Sequence, residues 1–574
     1  MDSAGTTSTS ESREDFEPCS RAVVDTPEDG WIHDPAAWDY FCSLLTSLYA
    51  MFIIVFAVVM ELSQKFTSDE WFMEMLFYSY MYGTGITFLL YCYLFQMHPA
   101  WLNGLIKWLE RKKWICPGNT EVPQTTHSSD GAGSLYLRLG TLCFGSSGIV
   151  LFCLEFFVCI SDHLCFAYRL VNWVFAAAFT FIQMHFIFCN SKIIITESKN
   201  LAKLGTMHLL AVNVWTWLRF VIAKHDGKSV YVEHILNRSD SLLLPRIDEN
   251  YSVPPDEILS IRIYSFYYFG DFATLLTTCI VEYSVIGAAI MFVLWRSIDD
   301  HCIPPSYRPK RKNKVRIDCS ASSAGLFAGV LFLICALVSI GIYTIFSQHS
   351  DDRGALLVFR LSDFALFCFT LIGCIVGLYR MRFLHYQSLQ IMTNAEFLDE
   401  ILLIIGLLGE LIHSSTGLMC WITTQSEWGQ NKMETYMLVV FVVREIQVIV
   451  QAVFILVSSR LRAQSPKAMS QKPGKQFVTF LLIANVSLFF FHTLEGMKSV
   501  FGDAIASRRT KPYATLICAV APLVVFYRFH SSVCLAEIWK HCYNTKNSPR
   551  SLKSPASETS VATRTSSINE RDLF

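Results

Sequence analysis

Apolar runs of about 20 residues recur along nearly the whole of this 574-residue chain. Each is long enough to cross roughly 30 Å of hydrocarbon as a helix, which satisfies its own backbone polar groups. Only 17% of the residues are charged and 52% are hydrophobic, where a soluble chain carries nearer to about a quarter charged. The fold class expected is an all-α polytopic membrane protein. A net charge of −1 gives no footing for a nucleic-acid partner.

Twelve transmembrane helices are expected, at about 40–62, 72–97, 136–160, 165–188, 202–223, 263–297, 322–347, 355–381, 396–423, 435–458, 476–500 and 513–540. The sixth is long and must tilt or protrude. Residues 1–39 are polar and acidic, with no basic segment leading into an apolar core, so the first span is expected to act as its own signal. An even count puts both termini on one side. Lys and Arg are richer in the connections after even-numbered spans, including Arg308, Lys310, Arg311, Lys312, Lys314 and Arg316, which makes that side cytoplasmic. The sequons outside the spans, Asn237-Arg-Ser and Asn250-Tyr-Ser, follow span five and are the candidate glycosylation sites. Asn485-Val-Ser lies mid-membrane and is discounted.

The chain divides into a cytoplasmic N-terminal tail (1–39), a six-helix half (40–297), a basic cytoplasmic linker (298–320), a second six-helix half (321–541) and a Ser/Thr-rich disordered tail (542–574). Most of the 19 cysteines sit within apolar runs without zinc spacing, and read as small hydrophobes.

The two halves repeat one another. FTFIQMHFIF at 179–188 aligns with QVIVQAVFIL at 447–456, placing Gln183 on Gln451. LLAVNVWTWL at 209–218 aligns with LLIANVSLFF at 481–490, placing Asn213 on Asn485. Tyr283 precedes Trp295 by twelve residues, as Tyr527 precedes Trp539. Spans 4, 5 and 6 thus map onto 10, 11 and 12, an offset that preserves orientation and implies parallel pseudo-repeats. Polar side chains in lipid need partners, so repeating all three types suggests paired polar sites. The competing structural reading is that each set only ties three helices together, at roughly 0.5–2 kcal/mol per contact.

Four stretches resemble the otopetrins, a family of acid-activated proton channels: GTMHLLAVNVWTWLRFV at 205–221, IVEYSVIGAAIMFVLW at 280–295, FLDEILLIIGLLGE at 397–410 and APLVVFYRFHSSVCLAEIW at 521–539. The resemblance covers the membrane region, roughly 40–541. It implies twelve helices in two halves, a homodimer resembling a four-fold ring, and a proton-selective channel in the plasma membrane with neither metal nor other cofactor. The implied partners are protons and the lipid bilayer, with a sterol as a candidate. The family's Gln, Asp/Asn and Tyr triad carries over to Gln183, Asn213 and Tyr283, then to Gln451, Asn485 and Tyr527.

Amides and a phenol orient a water wire, since each donates and accepts hydrogen bonds, but they do not take up a proton near neutral pH. Both asparagine positions lack the carboxylate some family members offer, so a titratable gate is sought elsewhere. Glu282, beside Tyr283, is the first candidate, with a structural ion pair as its alternative role; its counterpart in the second half is Phe526. Further candidates are His208, Glu495, His492 and His530, because histidine titrates near neutrality and a carboxylate in a low dielectric is drawn towards that range. Arg219 and Arg360 are expected to pair with carboxylates or reach an interface; Asp363 and Asp271 are candidate vestibule residues with no partner legible in the sequence, and Glu155 and Glu410 are candidates to face an interface between the halves.

Two other classes compete. A secondary transporter with a substrate site between the halves fits the parallel repeat equally well. A membrane-embedded lipid enzyme would need a nucleophile or metal cluster beside His208 or His530, and none is evident; the chain is not read as an enzyme.

Overall fold

The structure is a computed structural model that describes residues 35–63, 71–97, 134–161, 167–190, 199–241, 265–298, 322–349, 352–386, 394–425, 434–497 and 511–543, with a few positions between 103 and 112. Residues 1–34 and 544–574 of the tails, residues 299–320 of the basic linker, and Asn250 lie outside the described residues.

The long helices are α1 (Pro35–Ser63), α2 (Trp71–Tyr91, extended by a π turn at Cys92–Met97), α3 (Leu135–Ser161), α4 (Ala167–Asn190), α5 (Lys199–Ser241) and α6 (Ser265–Ser297), then α7 (Ser323–Gln348), α8 (Asp352–Met381), α9 (Asn394–Gln425), α10 (Thr435–Ser459), α11 (Lys475–Met497) and α12 (Lys511–His541). Among the described residues, ten helices are long and apolar enough to cross a membrane: all of these except α2 and α9. Their length follows from long runs rich in Leu, Ile, Phe, Val and Ala, although α12 carries Pro522 within it.

Two boundaries differ from expectation. The connection after span five was expected to begin near 224, yet α5 continues to Ser241 and carries the backbone of Asn237. Residues 225–241 are polar, and loss of hydropathy marks the end of a membrane run rather than the end of a helix. The long α6 bends instead of running straight. Gly270 (φ 47°, ψ −116°) kinks it five residues in from Ser265, a positive-φ conformation that glycine adopts without a Cβ penalty.

α6 and α12 are the most enclosed of the crossing helices, and α1 and α7 the most exposed. α6 packs along α5 and α3, while α12 packs along α9 and α11 and also reaches α5 and α6. The largest core cluster joins the N-terminal helices to Leu398 and Leu402 of α9 and to Leu523, Phe526 and Val533 of α12.

One end of the bundle is closed by a small clasp. β1 (His385–Tyr386) pairs antiparallel with β2 (Leu461–Arg462), His385 opposite Arg462. A short helix, Pro466–Gln471, follows; Ser465 caps it by accepting from Ala468 N at 3.1 Å. Ala463 N donates to Cys542 O at 2.9 Å and Tyr543 Oη to Pro473 O at 2.7 Å, tying the clasp to the end of α12. Cys159, near the C-terminal end of α3, is disulfide-bonded, an exception to the reading of the cysteines as small hydrophobes.

Candidate functional site

The six repeated polar residues are all buried, in two groups. α10, α11 and α12 bring Gln451, Asn485 and Tyr527 together. Gln451 Nε2 donates to Asn485 Oδ1 at 2.8 Å, and Asn485 Nδ2 donates to Leu481 O at 2.8 Å and to Gln451 Oε1 at 3.3 Å. Tyr527 Oη donates to Val448 O at 2.8 Å. α4, α5 and α6 carry the other group. Asn213 Nδ2 donates to Leu209 O at 2.7 Å and Tyr283 Oη to Thr180 O at 3.3 Å.

The two groups share a pattern. Each asparagine bonds the carbonyl four residues before it, and each tyrosine bonds the carbonyl three residues before the glutamine of its group. They differ at the glutamine. Both amide atoms of Gln183 have no hydrogen-bond partner among the described residues, whereas Gln451 is bonded on both sides. Gly287 of α6 makes room for the first pair. A Cβ there would lie 2.6 Å from Asn213 Oδ1 and 3.1 Å from Gln183 Nε2.

The titratable candidates fall in different surroundings. Glu282 is buried beside Tyr283, and neither carboxylate oxygen has a hydrogen-bond partner among the described residues. Lys224 is the charge that acts on it, and its Nζ donates to Thr278 Oγ1 at 3.3 Å. His208 bridges α5 to α1 and α2. Its Nε2 lies 3.0 Å from Met81 O and so carries the proton, leaving Nδ1 to accept from Tyr49 Oη at 2.8 Å. Tyr49 Oη is in turn 2.6 Å from Tyr80 Oη. His530 places Nε2 2.9 Å from Asp399 O and 3.4 Å from Cys534 Sγ.

Glu495 and His492 belong to a buried ionic network that hydropathy and repeats did not reveal. Arg444 Nε donates to Glu410 Oε2 at 3.0 Å and its Nη1 to Glu495 Oε2 at 3.3 Å. Arg360 Nη1 donates to Glu495 Oε1 at 3.1 Å and lies 3.8 Å from Asp363 Oδ2. His492 Nε2 is 3.4 Å from Asp363 Oδ1. Arg528 places Nη2 2.7 Å from Glu410 Oε1 and donates from Nη1 to Gln447 Oε1 at 3.1 Å. Gln447 Nε2 then donates to Gln451 Oε1 at 2.8 Å, joining the network to the polar group of α10–α12. Three arginines thus face three carboxylates, and mutual pairing offsets the desolvation of each. The detectable signal was the presence of Arg444 and Arg528 inside apolar runs, since charge at membrane depth marks function or pairing.

Other sequence candidates are placed as follows. Arg219 lies over the rings of Tyr78 (4.4 Å) and Trp173 (4.8 Å), a cation–π arrangement. Glu61, which sequence reasoning passed over, accepts from Trp215 Nε1 at 2.8 Å and from Tyr78 Oη at 3.0 Å. Where the first six helices meet the last six, Phe144 of α3 meets Phe529 of α12 edge-on at 4.8 Å, and Phe489 of α11 lies 6.2 Å from Phe529.

The otopetrin family model matches residues 136–249 and 257–529. The chain is 29% identical over 450 residues to proton channel OtopLc of Drosophila melanogaster, covering 72% of this chain and 28% of that protein. It is 26% identical over 183 residues to proton channel OTOP1 of Rattus norvegicus, covering 31% of this chain and 28% of that protein. With OTOP1 of Danio rerio it shares 23% identity over 268 residues, covering 44% of this chain and 42% of the relative. The chain therefore spans less than half the length of these relatives.

Proposed function

The chain belongs to the otopetrin family, and from that premise we propose that it is a proton-selective channel, admitting H+ to the cell on extracellular acidification through a Gln–Asn–Tyr site in each of two six-helix halves. The observation that carries the reading is the repeated hydrogen-bond pattern. In both groups the asparagine amide nitrogen and the tyrosine hydroxyl are committed to helix carbonyls, in the same register. In the first group that leaves the Gln183 amide to face the path, where it orients water for proton hopping; in the second, Gln451 and Asn485 bond each other and Gln447 extends the chain of amides. A series of such groups needs no size filter, which suits a proton and no larger ion.

The remaining architecture belongs to the same proposal. Counting α2 and α9 as spans gives twelve, with α4–α6 repeated by α10–α12 about an axis near the membrane normal. Both termini face the cytoplasm of the plasma membrane. The disulfide at the end of α3 supports that orientation, because such bonds persist on the oxidising side. The protein acts as a homodimer, with sterol as a candidate companion. Glu282 is the proton acceptor of the first path, having the burial and free lone pairs the role requires. Against a transporter with a solute site between the halves stands the ring packing of Phe144, Phe489 and Phe529 in that space.

The test is whole-cell current as external pH is stepped from neutral to acid, with sodium, potassium and chloride replaced by impermeant ions. An inward current whose reversal follows the proton gradient is expected. Asn213→Leu and Asn485→Leu should each remove part of it and the double variant nearly all. Parental currents in all three would end the two-path reading, and saturable uptake of a solute would favour the transporter.

A further inference from the structure

A lipid-facing stripe on α8 ends in a cluster of positive charge. Phe369, Ile372, Ile375 and Tyr379 are each more than half exposed and recur at helical spacing. Past the helix end, Phe383 and Tyr386 are exposed at 61% and 67%. From Phe369 to Arg380 the helix rises roughly 16 Å, about half of the roughly 30 Å hydrocarbon layer. That is the depth of one leaflet.

Residues 378–386 and 459–477 hold seven Lys and Arg and no Asp or Glu. The strand pair brings these two segments together, His385 opposite Arg462. Arg382 stacks on Tyr379 (3.9 Å) and on Phe383 (4.8 Å), so its charge is held at the end of the apolar stripe. Arg462 Nη1 donates to Ser459 O at 2.6 Å, keeping a second charge against the clasp. Arg380 and Lys467 are exposed. Of the carboxylates at this end, Glu400 pairs with Arg460 and Glu537 with Lys540 and His541, while Glu396 and Asp399 stand beside them on α9. The end of the bundle keeps a positive excess, fixed on a hydrogen-bonded platform.

We propose that this platform binds an anionic phospholipid, the acyl chains lying along Phe369–Tyr379 and the phosphate headgroup resting on Arg380, Arg382, Arg462 and Lys467. Apolar length, aromatic rings at its boundary and basic residues just beyond are the three features such a lipid presents in complement. Placing it in the cytoplasmic leaflet rests on the orientation proposed above; the binding itself does not, and is read without proton current.

Native mass spectrometry of the full-length protein, with phosphatidylserine or phosphatidylcholine titrated in, measures lipid retention directly. The native chain should retain phosphatidylserine in preference. At about fivefold per charge near the surface, Arg380→Ala with Arg382→Ala should weaken retention about thirtyfold, and Lys467→Gln alone about fivefold. Lys467 is exposed on the short helix, so its substitution leaves the bundle packing untouched. Arg380→Lys with Arg382→Lys keeps the charge and should stay within about threefold of the parent. Equal retention of the two lipids by the native chain, or unchanged phosphatidylserine retention in the alanine and Lys467→Gln variants, would overturn the proposal.

Discussion

Glu410 and Glu282 are both buried in the bundle, and removing their charges should have unequal consequences. Glu410 stands between Arg444 (3.0 Å) and Arg528 (2.7 Å) within a network of three arginines and three carboxylates. Glu410→Gln leaves three positive charges against two negative ones, with Arg528 deprived of its paired carboxylate in low dielectric and Arg444 left to share Glu495. Breaking a buried pair by removing one partner costs about 3–5 kcal/mol, and that is the loss of stability expected. Glu282 gives up no hydrogen bond among the described residues, so Glu282→Gln should cost about 1 kcal/mol or less. Unfolding of purified protein titrated with SDS, followed by tryptophan fluorescence, compares the two. A second substitution separates charge imbalance from packing. Adding Arg528→Gln to Glu410→Gln restores parity at two against two and should recover about 1–3 kcal/mol, the coupling typical of directly paired groups. If Glu410→Gln is no more damaging than Glu282→Gln, or the double variant is no more stable than Glu410→Gln alone, the network is not held by charge balance.

Three further outcomes are expected. Glu282→Gln should fold normally yet flatten the dependence of current on external pH, measured as the slope of the activation curve. Gly287→Ala puts a methyl 2.6 Å from Asn213 Oδ1, so it should displace that amide and reduce current severalfold, with surface expression measured alongside. Tyr527→Phe removes a hydrogen bond of 2.8 Å to Val448 O and should lower stability in SDS by about 1 kcal/mol, while Tyr283→Phe, whose bond is 3.3 Å, should lower it less.

Hydropathy made the helices legible, because each run of apolar residues is a local property of the chain. The six polar residues were singled out by repetition in the sequence, and the structure buries all six, each asparagine and tyrosine bonded to a helix carbonyl. The ionic network was hidden for a different reason. Arg360 meets Glu495 across 135 positions, and Arg444 meets Glu495 across 51. Nothing in a local window says which face of α8 turns towards which face of α11. Glu495 and His492 were singled out as isolated titratable groups, and only packing places Arg360, Arg444 and Asp363 around them. The extension of α5 to Ser241 escaped for the converse reason, since polar residues form helix without leaving an apolar trace.

The rings of Phe144, Phe489 and Phe529 meet where α3 packs on α11 and α12. Under the proposed function they serve, in circuit language, as an insulator between two conductors. Neither path, under the proposed function, draws on water or charge held by the other, so the molecule behaves as two resistors wired in parallel. Silencing one branch leaves the other's conductance and its pH dependence intact, and the branches' unequal side chains, with Glu282 in one and a charge-balanced arginine network beside the other, give them different thresholds. The total current would then rise with acid in two steps.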